Sequence, residues 1–111
     1  MRLVGLLSFF DESPDWLYKS VVSLSALPVT DLVALDGPYP LYPSEDDTSP
    51  DSNYEAIEAA CRDTGIALHY FSEGRLSEVE KRSRMFEIAE GFTTEDDWYM
   101  VIDADERVEL V

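Results

Sequence analysis

The sequence predicts an α/β fold built on a parallel sheet, because apolar segments of strand length alternate with segments of helical periodicity. The strand segments are short and almost continuously apolar, as expected of strands buried on both faces. Along the 111 residues the order is strand, helix, strand, helix, strand, helix, strand. This alternation favours right-handed crossovers between parallel strands. We therefore expect one α/β domain over residues 1–111.

The boundaries of the elements follow from apolar runs and from capping residues. The predicted strands are residues 3–9, 31–36, 66–71 and 98–102. Ser13-Pro14-Asp15 supplies an N-cap, a proline at the first helical position and an acid in the first turn of a helix over residues 14–27. Ser52 or Asn53 is expected to cap a second helix that runs to about residue 64. A third helix is predicted over residues 76–92.

The chain is strongly acidic, with 24 Asp and Glu against 8 Lys and Arg and a formal net charge of −16. Repulsion argues against binding to nucleic acid or to an anionic membrane. The charge suits a protein that binds metal cations or mimics a polyanion, and it equally suits simple solubility. No apolar run is long enough to span a membrane. The single cysteine, Cys61, fits a reducing compartment, so a cytoplasmic location is expected.

Acidic residues follow several of the predicted strands. Ligands of parallel sheets bind beyond the carboxyl ends of the strands, and Asp11, Asp36, Asp103 and Asp105 all fall there. Carboxylate oxygens suit Mn²⁺ or Mg²⁺, which commonly take one or two protein carboxylates together with substrate phosphates. We expect Asp103 and Asp105 to form the metal site. For Asp36 a turn role is an equal alternative, because Asp-Gly-Pro also favours a turn.

The first strand-to-helix turn lacks the glycine motifs that wrap a pyrophosphate. Residues 10–14 contain neither GxGxxG nor GxxxxGK[ST], so a bound diphosphate would need another source of positive charge. A metal held by the acidic triplet at residues 103–105 would supply it. Lys81 and Arg82 are further candidates, because they belong to a cluster of four basic residues between positions 75 and 84. The alternative for this cluster is i,i+4 pairing, as in Glu78–Arg82 and Glu80–Arg84.

Two tyrosines lie in the loop after the second strand. Residues 37–52 carry four of the six prolines and four acids, which is typical of a loop. Tyr39 and Tyr42 lie near Asp36 in this loop, and we expect them to contact a base or a sugar.

Three segments together resemble the GT-A glycosyltransferases, particularly their family 2-like group. The opening strand leads through Asp11 into a short polar turn and a helix. Residues 33–37 are similar to the family's second strand with its nucleotide-contacting aspartate, and residues 98–106 contain a strand that ends in a DXD motif. Residues 78–82 fall where the family has a basic helix. The resemblance covers nearly the whole chain but only the first half of the family's domain.

The resemblance implies a Rossmann-like, GT-A type sheet and an enzyme that transfers a sugar from a nucleotide-diphosphate sugar to an unidentified acceptor. It implies that Asp36 contacts the base or ribose, that Lys81 or Arg82 approaches the nucleotide, and that Asp105 binds Mn²⁺ or Mg²⁺ with help from Asp103. No residue is assigned as the catalytic base, because in the family that base lies beyond the matched half. We therefore expect a fragment, a truncated reading frame, or a half-domain that a protein partner completes.

Two other functions fit parts of the sequence. A noncatalytic acidic α/β module that acts through a protein partner would need no metal and would tolerate loss of Asp103 and Asp105. A nucleotidyltransferase would also use a metal and a nucleotide. That class usually has a glycine-rich, basic first loop, and residues 10–13 are neither glycine-rich nor basic.

Overall fold

The computed structural model describes residues 1–43 and 45–103, and these form a parallel α/β fold as predicted. In this described part of the chain, four strands alternate with three α-helices, and every strand pairing is parallel. In chain order the elements are β1 (Leu3–Phe9), α1 (Pro14–Ser23), a 3₁₀ turn (Leu24–Ala26), β2 (Asp31–Asp36), α2 (Asp51–Thr64), β3 (Ala67–Ser72), α3 (Glu78–Glu90) and β4 (Trp98–Asp103). The sheet order is β3-β2-β1-β4, consistent with a Rossmann-like arrangement.

The starts of the three helices in the described part of the chain agree with the sequence prediction to different degrees. Ser13 caps α1 as predicted, its hydroxyl accepting a hydrogen bond from the Trp16 N–H. The predicted cap of α2 is wrong, because that helix begins at Asp51 after Pro50 and no side chain caps it. Helix α3 begins later than predicted because Ser77 and Glu80 form a capping box, in which each side chain bonds the other residue's backbone N–H.

The two faces of the sheet are covered by different helices. Alternate residues of the central strand β1 belong to different clusters: Leu7 and Phe9 pack with α1 and α2, whereas Val4 and Leu6 pack with Met85 of α3. All six residues of β2 are buried. This double burial explains why β1 and β2 were visible in the sequence as almost continuous apolar runs.

The strand order places a crevice at the carboxyl ends of β1 and β4. The chain crosses from β1 to β2 and β3 on one side, and α3 then returns it to β4 on the other side of β1. Such a reversal separates the loops that follow the two adjacent strands, and ligands of parallel sheets bind in the opening that results. Asp103 of β4 lies opposite Ser8 of β1 at this edge.

A charged cluster lies at the opposite, amino edge of the sheet. Asp31 is buried, and its Oδ2 accepts a hydrogen bond from Arg2 at 3.1 Å and lies 2.9 Å from His69 Nε2. The His69 ring also stacks on Phe92, with ring centroids 4.1 Å apart. His69 therefore has a structural role in β3, where it belongs to the cluster around Asp31.

Candidate functional site

Two adjoining pockets occupy the crevice at the carboxyl ends of β1 and β4. The larger has a volume of about 220 Å³ and the smaller about 30 Å³, and Ser8, Tyr39 and Lys81 border both. Asp11 from the turn after β1 lines the larger pocket, and Asp103 lines the smaller one. The structure thus brings four of the predicted site residues, Asp11, Lys81, Arg82 and Asp103, to one crevice.

Lys81 is a buried cation between the two pockets. Its side chain extends from the first turns of α3, and only 3% of the residue is exposed. The ammonium donates a hydrogen bond to the Gly37 carbonyl oxygen and lies 5.2 Å from the centroid of the Tyr39 ring. Burial lowers the pKa of Lys81, although the negative charge of Asp36 acts in the opposite direction. Lys81 forms no ion pair with any acid in residues 1–43 and 45–103.

The path of the chain after β2 explains how a main-chain carbonyl reaches Lys81. Gly37 has a φ of +156°, and a Cβ at this position would collide with the carbonyl oxygen of Gly74. Only glycine therefore lets the loop after β2 pack directly against the turn before α3. This close approach places the Gly37 carbonyl above α3, within reach of Lys81.

The neighbouring arginines are paired with acids. Arg82 is exposed and donates a hydrogen bond to Glu78 at 3.2 Å, the i,i+4 pair that the sequence predicted, although it also borders the smaller pocket. The predicted Glu80–Arg84 pair is wrong: Arg84 bonds Glu73 at 2.7 Å instead. The reason is the capping box, in which the Glu80 carboxylate accepts a hydrogen bond from the Ser77 N–H.

Asp36 organises loops beneath a different pocket. It is buried, and its carboxylate accepts hydrogen bonds from the Ser49 N–H at 2.8 Å, the Ser49 hydroxyl at 2.6 Å and the Ser72 hydroxyl at 3.3 Å. It lines an open pocket of about 300 Å³ beside Tyr54 and Tyr70 rather than the crevice at β1 and β4. The predicted contact of Asp36 with a base or ribose stays a prediction.

The turn after β1 is held by residues that the sequence did not single out for this purpose. Asp11 has a φ of +46°, which is uncommon for a residue other than glycine, and its N–H donates to the Ser49 hydroxyl at 2.7 Å. Asn53 is buried in α2, where its side-chain amide accepts from the Glu12 N–H and donates to the Glu12 carbonyl, both at 2.9 Å. These bonds fix the backbone of the turn that carries Asp11 to the larger pocket.

Asp103 is the described part of the predicted metal motif. It is exposed at the end of β4 and lines the smaller pocket with Lys81 and Arg82. Asp105 lies outside the described residues. Within residues 1–43 and 45–103, no group of three or more His, Cys, Asp and Glu side chains is arranged to hold a metal ion.

Aromatic rings form the outer wall of the larger pocket. Tyr39 and Tyr42 are 48% and 42% exposed, so about half of each residue remains open to a ligand. The Tyr42 ring meets Phe10 edge to face, with centroids 5.0 Å apart. Both tyrosines line the larger pocket, as does Phe10. The wall offers flat apolar surface for a planar ring.

Comparison of the chain with protein-family models gives no match, and comparison with curated proteins gives no significant match. None of the helices in the described part of the chain is both long enough and apolar enough to cross a membrane.

Proposed function

We propose that this chain binds a nucleotide-diphosphate sugar in the crevice at β1 and β4, for metal-dependent transfer of the sugar to an acceptor. The observation that carries the proposal is the burial of Lys81 between an aromatic-walled pocket and Asp103. A buried ammonium without a carboxylate partner among the described residues is costly, and an anionic ligand would offset that cost. Its contacts with a carbonyl and a ring orient it without neutralising it.

Each part of the ligand has a complementary surface in the crevice. The base fits against Tyr39 and Tyr42, because aromatic side chains stack on planar rings. In the proposed arrangement the diphosphate lies beside Lys81, which borders both pockets. Lys81 is favoured over Arg82 for this contact, because Arg82 is exposed and already paired with Glu78.

The charge of the crevice supports the need for a divalent cation. Among the described residues, four acids line the two pockets, Asp11, Glu12, Glu78 and Asp103, but only two basic residues do so. A diphosphate would be repelled by this surface unless a metal ion accompanied it. Asp103 and the phosphate oxygens fit the ligand preference of Mn²⁺ or Mg²⁺, with Asp105 as the predicted second carboxylate. When bound, such an ion stabilises the charge of the leaving diphosphate.

The roles of the chain's own residues follow from this placement. Lys81 holds the diphosphate and lowers the energy of its developing charge, because a buried cation is screened little by water. The aromatic wall orients the nucleotide, and Asp103 lies at the smaller pocket, where it would contribute to holding the metal ion. No described residue is assigned as the base that would deprotonate the acceptor.

The proposed function is tested by calorimetric titration of UDP and GDP, and of their sugar conjugates, with and without Mn²⁺. We expect one of the nucleotides to bind at least about tenfold more tightly with Mn²⁺. The Asp103→Ala/Asp105→Ala variant should lose this gain, because its carboxylates no longer hold the ion. Glu95→Ala/Asp96→Ala is a matched control, since it removes two acids that lie before β4, at the far end of that strand.

Two results would contradict the proposal. If the folded wild-type chain binds none of these nucleotides, the crevice is not a donor site and the acidic protein-binding module is favoured. If binding is equally tight in the Asp103→Ala/Asp105→Ala variant, the metal is not held by the acidic motif.

A further inference from the structure

We propose that Arg75 is a positioning residue that holds the aromatic wall in place for the base of the ligand. The inference rests on the proposed function, and it identifies a residue that would control affinity without touching the ligand. Arg75 lies in the short turn between β3 and α3, outside both crevice pockets.

The two tyrosines of the aromatic wall, Tyr39 and Tyr42, belong to a long loop without regular structure. The loop connects β2, which ends at Asp36, to α2, which begins at Asp51. All described residues between positions 39 and 48 are exposed. A loop of this length gains little from packing, so its conformation depends on a few specific bonds.

Arg75 supplies three of those bonds from one guanidinium group. Its Nε donates to Asp47 Oδ1 at 2.9 Å, and its Nη1 donates to the Tyr42 carbonyl at 2.9 Å and to the Tyr39 carbonyl at 3.4 Å. The bonded residues span most of the exposed loop. The two carbonyls belong to the same tyrosines whose rings line the larger pocket.

The turn that carries Arg75 is itself tied to the start of the loop. Gly74 has a φ of +70°, and its carbonyl oxygen lies where a Cβ on Gly37 would be. The loop therefore leaves β2 in contact with the turn before α3 and is bonded again at Tyr39, Tyr42 and Asp47. A lysine could replace the charge of Arg75, but it lacks the planar fork that reaches several acceptors at once.

The wall and the diphosphate contact are held by different elements. The carbonyls of Tyr39 and Tyr42 accept hydrogen bonds from Arg75, whereas Lys81 projects from α3 and bonds the Gly37 carbonyl, at the start of the loop. Without Arg75 the loop must be ordered when the base binds, and this entropic cost weakens binding. The diphosphate, held mainly by Lys81 and the metal, should be affected little. Loss of Arg75 is therefore expected to lower the affinity for a nucleotide much more than the affinity for a bare diphosphate.

The test compares two probes, each titrated with Mn²⁺: the better-binding of UDP and GDP, and inorganic pyrophosphate. In Arg75→Ala and Arg75→Lys, we expect nucleotide affinity to fall by about tenfold while pyrophosphate affinity changes by less than about twofold. Arg62→Ala is the matched control, because Arg62 also forms an exposed ion pair, with Glu58, but lies in α2. Arg62→Ala should change neither affinity.

Two outcomes would overturn the inference. Unchanged nucleotide affinity in Arg75→Ala would show that the wall does not depend on Arg75, and an equal loss for pyrophosphate would indicate a general charge effect. If the wild-type chain binds neither probe, the proposed function fails, and ¹⁵N relaxation of residues 39–47 still tests the positioning role. Mobility should rise in Arg75→Ala and Arg75→Lys but not in Arg62→Ala; unchanged mobility would contradict the role of Arg75.

Discussion

Replacing Lys81 by methionine is expected to weaken binding of the Mn²⁺–nucleotide complex by about 100-fold, because it removes the one buried cation among the described residues that line the crevice. Stability should change little in comparison. The buried charge, which disfavours folding, is lost together with one hydrogen bond to the Gly37 carbonyl, and these effects oppose each other. Calorimetric titration and thermal unfolding of the same samples measure the two quantities.

The pH dependence of nucleotide affinity provides a second test of Lys81. The ammonium form of Lys81 attracts the diphosphate, and burial lowers its pKa from the usual value of 10.5. Affinity of the wild-type chain should therefore fall as the pH rises through that lowered pKa, and the methionine variant should lack this step. Lys19→Met is the control, because Lys19 is an exposed lysine paired with Asp15 in α1. Equal affinities of Lys81→Met and the wild-type chain would contradict the assigned role.

Replacing Asp36 by alanine is expected to lower the free energy of unfolding by about 3 kcal/mol, the largest stability effect that we predict. The buried carboxylate accepts two hydrogen bonds from Ser49 and one from Ser72. The Ser49 hydroxyl also accepts the Asp11 N–H, so the loss extends to the turn after β1. Denaturant unfolding followed by circular dichroism measures the change.

A matched variant separates this structural role from simple removal of negative charge. Asp51 lines the same open pocket as Asp36 but is exposed, so Asp51→Ala should change the unfolding free energy by less than about 0.5 kcal/mol. If Asp36→Ala is as stable as Asp51→Ala, the bonds to Ser49 and Ser72 do not hold the loops together. In that case the turn after β1 would have to be fixed chiefly by Asn53.

Two of the strands, β1 and β2, were predictable because burial on both faces leaves a local signature. The bounds of β1 and β2 agree with the sequence prediction, since both strands consist of almost continuous apolar residues. The cap of α1 was predictable for a similar reason, because Ser13 bonds the N–H of Trp16, only three residues along the chain. The start of α2 was not, because Asn53 looked like a cap but its amide bonds Glu12, which is 41 positions away in the chain.

The candidate site was only partly predictable, because its contacts depend on strand order. The sequence located Asp11 and Asp103 at strand ends, but only the pairing of β4 with β1 shows that they border one crevice. Lys81 could have been distinguished from Arg82, because Lys81 lies four positions before the buried Met85 and shares its helix face. Arg75 could not have been found, since its partners lie in an irregular loop 28 to 36 positions away.

The most direct test of the central claim is to locate the nucleotide by NMR. ¹H–¹⁵N spectra of the wild-type chain would be recorded with Mg²⁺ and increasing UDP or GDP. Binding in the crevice predicts chemical-shift changes concentrated in residues 8–12, 37–42, 78–85 and 101–103, which surround the two pockets. Changes confined to residues 48–54 and 70–72, around the pocket beside Asp36, would contradict the account, as would the absence of any change at saturating nucleotide.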